Sequence, residues 1–437
     1  MRLISASHSE LARAAALDTV ATTAALLFEN GQTTERVAVT AERLGRAFGL
    51  ALTLHPHWGE LALQVEGTPF SEMVPAMPRN VDMGKVLAIM TVVDDICDGT
   101  LPHAAARSVL ETVEWQRPVS TPRFTLFAAI AGVAMGVIFG ALDATSLVLI
   151  ALSAGLAALV RRRLARQGGG PFVQPLCAAF IAGLIGAIAT RLSLSDSQVL
   201  VALCPCMVLV PGPHLLNGAI DLARMRITLG VARLVYAGLI ILMICAGLLL
   251  GLAAGGTVLP NVGMSGQVPF FADVIAAGCA VAGYGTFFSM PWKLLPIPIA
   301  VGMLAHAARW ALISLAGAHV AVGAFGACLL VGVIITPVSD RFRLPFAALG
   351  FSAVVSMVPG FYIFQTSSAL LQLISMGPDA SPDLLMSAVA NGTTAFLIVV
   401  AIAFGLILPR MLFEHFLPVS ERPQQMAAVP ATPHHTN

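Results

Sequence analysis

Charge is scarce in this chain. Asp, Glu, Lys and Arg together make up 11% of its 437 residues, against about 25% in an ordinary soluble domain. With 57% hydrophobic residues beside that figure, a soluble globular protein is excluded and an integral membrane protein is indicated. The net charge of +1 says nothing about partners, and no basic run argues for nucleic acid. The chain also lacks Gly-x-Ser-x-Gly, His-Glu-x-x-His and P-loop motifs. A primary ATP-driven pump is therefore not expected, and an enzyme has no local signature. The seven cysteines are odd in number and lie mostly in apolar stretches, so they read as small apolar residues and not as disulfides. Cys204-Pro205-Cys206 lacks the usual two-residue gap and a second pair nearby. His55 and His57 flank a turn and read as solvated loop residues. No metal and no cofactor is expected.

Residues 1–120 hold no apolar run long enough to span a bilayer, and the opening MRLISASHSE is not a signal peptide. Helical periodicity runs from Leu11 to Phe28, with Gly31 placed to end it. Thr33 or Thr34 can cap a second helix through Arg46, with Glu35 in its favoured first turn. Leu50–His55 and Glu60–Val65 alternate around Trp58-Gly59, which predicts a hairpin. Helices are expected near Asp82–Cys97 and Pro102–Trp115. The expectation is a small α+β cytoplasmic domain.

Ten apolar segments follow, near 124–141, 144–160, 172–190, 199–219, 229–252, 270–290, 294–316, 318–336, 344–375 and 387–411. A hydrocarbon core of about 30 Å needs roughly 20 residues of helix, which these supply or nearly supply. Basic residues choose the sides. Arg161, Arg162, Arg163 and Arg166 follow the second segment, Arg224 and Arg226 the fourth, Lys293 the sixth, Arg341 and Arg343 the eighth, and Arg410 the tenth. The alternate loops carry Asp143, Asp196, Asp379 and Asp383, with Arg191 their one basic residue. Both termini are therefore expected in the cytoplasm. The division expected is a domain over 1–120, membrane halves over 121–255 and 256–414, and a disordered cytoplasmic tail over 415–437.

The fourth segment is interrupted by Pro205, Pro211, Gly212 and Pro213. Proline removes a backbone donor and clashes with the preceding turn, and in hydrocarbon the freed groups need protein or a water-filled cavity. The ninth segment repeats the device. Val210-Pro211-Gly212 recurs as Val358-Pro359-Gly360, at an offset of 359 − 211 = 148 residues. Asn217 then falls opposite Gln365. The breaks occupy the fourth helix of each half in a five-plus-five arrangement, and because five is odd the second half would be inverted. Paired broken helices in inverted repeats hold substrate in many transporters. Two unrelated kinks are the alternative.

The same residues carry a family resemblance. GQTTERVAVTAERLGRAFGL from Gly31, VDMGKVLAIMTVVDDICDGTLPHAAARSVLETV from Val81, LVPGPHLLNGAIDL from Leu209 with Gly230 and Arg233 beyond it, MVPGFYIF from Met357 and NGTTAFLIVVAIAFGLILPR from Asn391 together resemble the threonine/serine exporter family of prokaryotic and some fungal membrane proteins. The resemblance covers nearly the whole chain. It implies a secondary exporter of a small metabolite, driven by the proton motive force across the inner membrane. Some two-chain members of that family look like dicarboxylate exporters, so C4 dicarboxylates such as succinate are the second substrate class. The partners implied are substrate, protons and lipid; a homo-oligomer is possible.

A zwitterionic amino acid needs a carboxylate site and an ammonium site. Half-helix ends at Pro211-Gly212 and Pro359-Gly360 can offer backbone N–H groups to the first and carbonyls to the second. Asn217 and Gln365 can add side-chain contacts, or can serve only to satisfy kinked backbone. Ionisable residues inside spans are costly and invite a functional reading. His214 is the first candidate to bind a proton or substrate; bonding to carbonyls freed by Pro211 and Pro213 is its structural alternative. Asp273, His306 and Arg309 are further proton-coupling candidates, with Asp273–Arg309 expected as a structural ion pair. Asp221 is a candidate too, expected on a solvated face near Arg224. Outside transport, a membrane-tethered hydrolase carrying Asp94-Asp95, a channel and a non-transporting scaffold remain open.

Overall fold

The computed structural model describes residues 2–68, 71–260, 268–342 and 344–416. Arg343 and most of the expected tail, from residue 417, lie outside them. The N-terminal unit opens with α1 (Arg2–Glu29) and α2 (Thr34–Ala47), continues through β1 (Leu52–His57), β2 (Gly59–Val65) and β3 (Ser71–Ala76), and closes with α3 (Met83–Cys97) and α4 (His103–Glu114). Gly31, at φ +93°, ends α1 in a conformation that strains any residue with a Cβ. Gln32 N there donates to Leu27 O at 3.1 Å. Asp82 caps α3 by accepting from Lys85 N at 3.0 Å. The strands are antiparallel in the order β1-β2-β3, with Leu54 opposite Leu63. Leu52, Leu54, Leu61 and Leu63 alternate onto one buried face, beneath α1 and α2. The sequence predicted two strands. The third carries Pro75, which has no N–H to donate, and takes the sheet edge where that is tolerated.

The remaining helices are α5 (Thr121–Ile138), α6 (Ala144–Arg166), α7 (Val173–Arg191), α8 (Gln198–Met207), α9 (Gly212–Ala223), α10 (Ile227–Ala254), α11 (Phe270–Phe287), α12 (Pro296–Ser314), α13 (Val320–Arg341), α14 (Phe346–Val354), α15 (Gly360–Met376) and α16 (Pro382–Phe416). Eight of them are long and apolar enough to cross a membrane. The pairs α8–α9 and α14–α15, bent by 58° and 50°, bring the number to ten if each counts as one span. The molecule is therefore mainly helical, with eight to ten candidate membrane spans and one small sheet.

Packing follows one scheme twice. α5 lies on α6 and α6 on α7, as α11 lies on α12 and α12 on α13. α7 runs along α10, as α13 runs along α16. α8 packs on α6 and α7 while α9 packs on α10; correspondingly, α14 packs on α12 and α13 while α15 packs on α16. α5 meets α11, and each half-helix after a break touches the other set: α9 reaches α14, and α15 reaches α8. Lipid tails offer helices no hydrophobic reason to associate, so close approach through small residues does that work. A Cβ on Gly183 would lie 2.3 Å from Leu248 O, and one on Gly251 2.2 Å from Phe180 O. α7 and α10 thus touch backbone to backbone.

Candidate functional site

Both breaks have the same local form. Pro211 has φ −78°, ψ 62°, and Pro359 has φ −78°, ψ 46°. Gly212 N donates to Val210 O at 2.8 Å, and Gly360 N donates to Val358 O at 2.8 Å. The breaks also face each other. A Cβ on Gly212 would meet Val355 Cγ2 at 3.2 Å, and one on Gly360 would meet Met207 Cγ at 2.8 Å. Val355 and Met207 stand 148 residues apart (355 − 207), the offset of the triplets themselves. Tyr284 on α11 donates its hydroxyl to Met207 O at 3.2 Å, at the end of α8, where the same carbonyl also accepts from Val210 N at 3.3 Å.

A cavity of about 630 Å³ ends on the first break. One wall is Leu209–Pro211, Pro213 and His214; Tyr236 of α10 and Phe287–Ser289 form another. The N-terminal unit supplies Asn30, Arg79, Asn80, Val81, Asp82 and Lys85, and the end of α6 supplies Arg161 and Arg162. Four cationic side chains thus share the lining with the single carboxylate of Asp82, whose acidity burial weakens despite the Lys85 N–H it accepts. Arg161 lies over the Phe287 ring at 4.5 Å and Arg162 over Phe124 at 4.8 Å, which fixes both guanidinium groups at the rim.

His214 is buried, edge-on to Tyr236 at 5.2 Å. Its ring hydrogen-bonds the Arg79 backbone, in the N-terminal unit. Tyr236 also meets Trp58 at 5.3 Å, so the β1–β2 turn helps to shape the wall. Of the residues singled out from sequence, Pro211 and His214 line this cavity; Gly212, Pro359, Gly360, Asn217 and Gln365 do not. Asn217 donates to Gly31 O at 3.2 Å and Gln365 to Pro260 O at 3.4 Å. Each amide ties a half-helix to a segment outside the broken pair.

Two expectations need correction. Asp221 is not solvated: it is 1% exposed. Its Oδ2 lies 3.0 Å from Arg233 Nε and accepts from Thr34 Oγ1 at 3.0 Å. Arg233 is wholly buried, donates to Thr34 Oγ1 at 3.3 Å and lies over the Phe28 ring. Around this pair, Glu35 binds Arg226 at 2.7 Å and Arg224 at 3.5 Å. Burial raises the Glu35 carboxyl, but the Arg226 hydrogen bond and the two guanidinium charges outweigh it and hold it below the usual range. Thr34, expected as a possible cap, instead completes an ion pair between two membrane helices. Arg233 could have been suspected from residues alone, as the one charge within α10.

The second correction concerns Asp273. Its Oδ2 pairs with His306 Nδ1 at 3.1 Å and not with Arg309. His306 Nε2 meets Ser356 Oγ at 3.0 Å. The three side chains are buried together, and Ser356 stands two residues before the second break. Among the described residues no group of three or more His, Cys, Asp or Glu could hold a metal ion.

Two family models, both described as threonine/serine exporter, match residues 18–255 and 273–412. A Mycobacterium tuberculosis protein named "Probable threonine/serine exporter" is 25% identical over 399 residues, covering 86% of this chain and 73% of its own. A Haemophilus influenzae protein named "Uncharacterized protein" is 28% identical over 148 residues, or 34% of this chain and 48% of its own. No solved structure matches. A multi-pass membrane chain with two proline-glycine breaks, matched over residues 18–255 and 273–412, belongs to the threonine/serine exporter family.

Proposed function

We propose that this chain is a secondary exporter of threonine or serine, driven by the proton motive force across the inner membrane. The observation that carries the reading is the cation-lined cavity ending on the Pro211 break. A substrate carboxylate would be drawn by Arg79, Lys85, Arg161 and Arg162 and settle at the N-terminus of α9, where the helix dipole is positive. The ammonium would face carbonyls at the end of α8. His214, on the cavity wall, serves substrate contact. The second break, at Pro359-Gly360, would form the matching half of the site once the cavity opens to the other side. Asn217 and Gln365 would hold the half-helices α9 and α15 to their neighbours. The excess of cations over Asp82 also favours the second substrate class, C4 dicarboxylates.

The doubled packing scheme and the reciprocal contacts of the two breaks support two inverted halves, 121–255 and 256–414, behind a cytoplasmic domain over 1–120. That orientation has its own test. Single cysteines placed at Arg162 and Asp379 should be labelled by an impermeant reagent from opposite faces of intact cells; labelling from one face would overturn the topology.

Counterflow in vesicles containing the purified protein tests the function. Threonine or serine inside should drive uptake of labelled external substrate, with succinate as the competing arm. No exchange of any of the three would remove the exporter reading and leave a scaffold or hydrolase. If His214 touches substrate, His214→Ala should raise the half-saturating concentration about tenfold, corresponding to loss of a hydrogen bond of about 1.4 kcal/mol. An unaltered half-saturation in a well-expressed variant would take His214 out of the site.

A further inference from the structure

Three buried polar side chains stand away from the cavity, and substrate binding as described makes no use of them. Asp273 comes from the first turn of α11, His306 from the middle of α12, and Ser356 from the turn Val355–Met357 that joins α14 to the second break. Their exposures are 3%, 0% and 2%. They form one line: carboxylate Oδ2 to Nδ1 at 3.1 Å, and Nε2 to hydroxyl at 3.0 Å. An isolated buried polar group is costly, yet here each ring nitrogen of a wholly buried histidine has a partner.

The arrangement accepts a proton without losing a hydrogen bond. In neutral His306, Nδ1–H donates to Asp273 and the Ser356 hydroxyl donates to Nε2. When a proton adds at Nε2, that nitrogen becomes the donor, and the Ser356 hydroxyl swings to give its hydrogen elsewhere. The Asp273–His306 pair passes from one net negative charge to none. Arg309 lies one turn further along α12, with Tyr362 of α15 and Cys328 of α13 in electrostatic reach of its guanidinium. α14 carries no ionisable side chain. A proton gained or lost at Nε2 would therefore turn the Ser356 hydroxyl, two residues before Val358-Pro359-Gly360.

We propose that Asp273, His306 and Ser356 form the proton-binding site that couples the gradient to movement of the α14–α15 break. The proposal rests on the exporter reading for its consequence but not for its existence. Protonation would be reported to the break through the Ser356 hydroxyl, and Asp273 is a positioning residue that holds the imidazole in one tautomer.

Two measurements on the full-length protein in vesicles test it. With no substrate present, the infrared difference spectrum between acidic and alkaline buffer should contain an imidazole band that His306→Gln removes. Wild-type and His306→Gln spectra that agree would overturn the proposal whatever the protein transports. In transport, His306→Gln and Asp273→Asn should abolish accumulation against a gradient, while exchange at equal pH persists within about threefold of wild type. Ser356→Ala should displace the pH profile of accumulation and leave a working exchanger. Full accumulation by His306→Gln would overturn the proposal, as would parallel loss of both modes in a protein that purifies as one species. Absence of exchange by wild-type protein would instead refute the exporter reading, with the infrared result still deciding whether His306 takes up a proton.

Discussion

Arg233→Met should lower the stability of the purified protein by on the order of 3–5 kcal/mol, the usual effect of removing one partner from a buried ion pair. The charge left behind is Asp221, 1% exposed, with the Thr34 hydroxyl on its Oδ2 and only the more distant Arg226, 3.7 Å from Oδ1, to offset it. Asp221→Asn should have a related, smaller effect, because an amide still accepts from Thr34. The double variant Asp221→Leu/Arg233→Met, which leaves no charge unpaired, should recover most of the loss. Thermal unfolding followed by tryptophan fluorescence reads all three. A single Arg233→Met variant as stable as wild type would mean that the pair is far better hydrated than its geometry shows.

The second large effect is expected where helices touch through backbone. Gly251→Val should prevent α7 and α10 from closing, since even a Cβ would stand 2.2 Å from Phe180 O. Overpacking ordinarily costs about 1–3 kcal/mol where side chains can shift, and a backbone carbonyl cannot shift without moving its helix. The expected outcome is loss of monodisperse protein on size exclusion. Gly238→Ala, on the same helix with nothing within 4 Å, should purify normally. Equal behaviour of the two variants would show that α7 and α10 do not approach as described.

How much was legible in the sequence depended on the range of the interaction. Spans and breaks are local properties. Apolar runs bounded by arginine gave helices whose ends fall within a few residues of those observed, and Pro-Gly marked both bends. The N-terminal hairpin followed from alternation, whereas β3 was hidden by Pro75. Side-chain partners were a different matter. Asp221 read as solvated because Arg224 and Arg226 follow it closely. Its burial is imposed by Thr34, 187 residues earlier, and by α10, neither of which periodicity can see. His306 and Arg309 are less than one helical turn apart, so spacing could not decide which of them meets Asp273. Ser356 gave no signal beyond its nearness to the triplet. The breaks were visible as chemistry, but the cavity was not, because one of its walls comes from the N-terminal unit, far away in sequence.

The contact between Thr34 and the Asp221–Arg233 pair joins a residue made early to two made late. The ribosome makes Thr34 first, and at about 5–20 residues per second some ten to forty seconds pass before Asp221 follows. The early unit can therefore fold while the later helices are still being made. The docking surface that shields the opposite charges of α9 and α10 would then be in place by the time those helices enter the bilayer. A rearranged gene encoding residues 1–120 after α16 would deliver the pair to lipid with nothing to cover it. Such a chain should be degraded during insertion, although every contact of the finished molecule remains encoded in it.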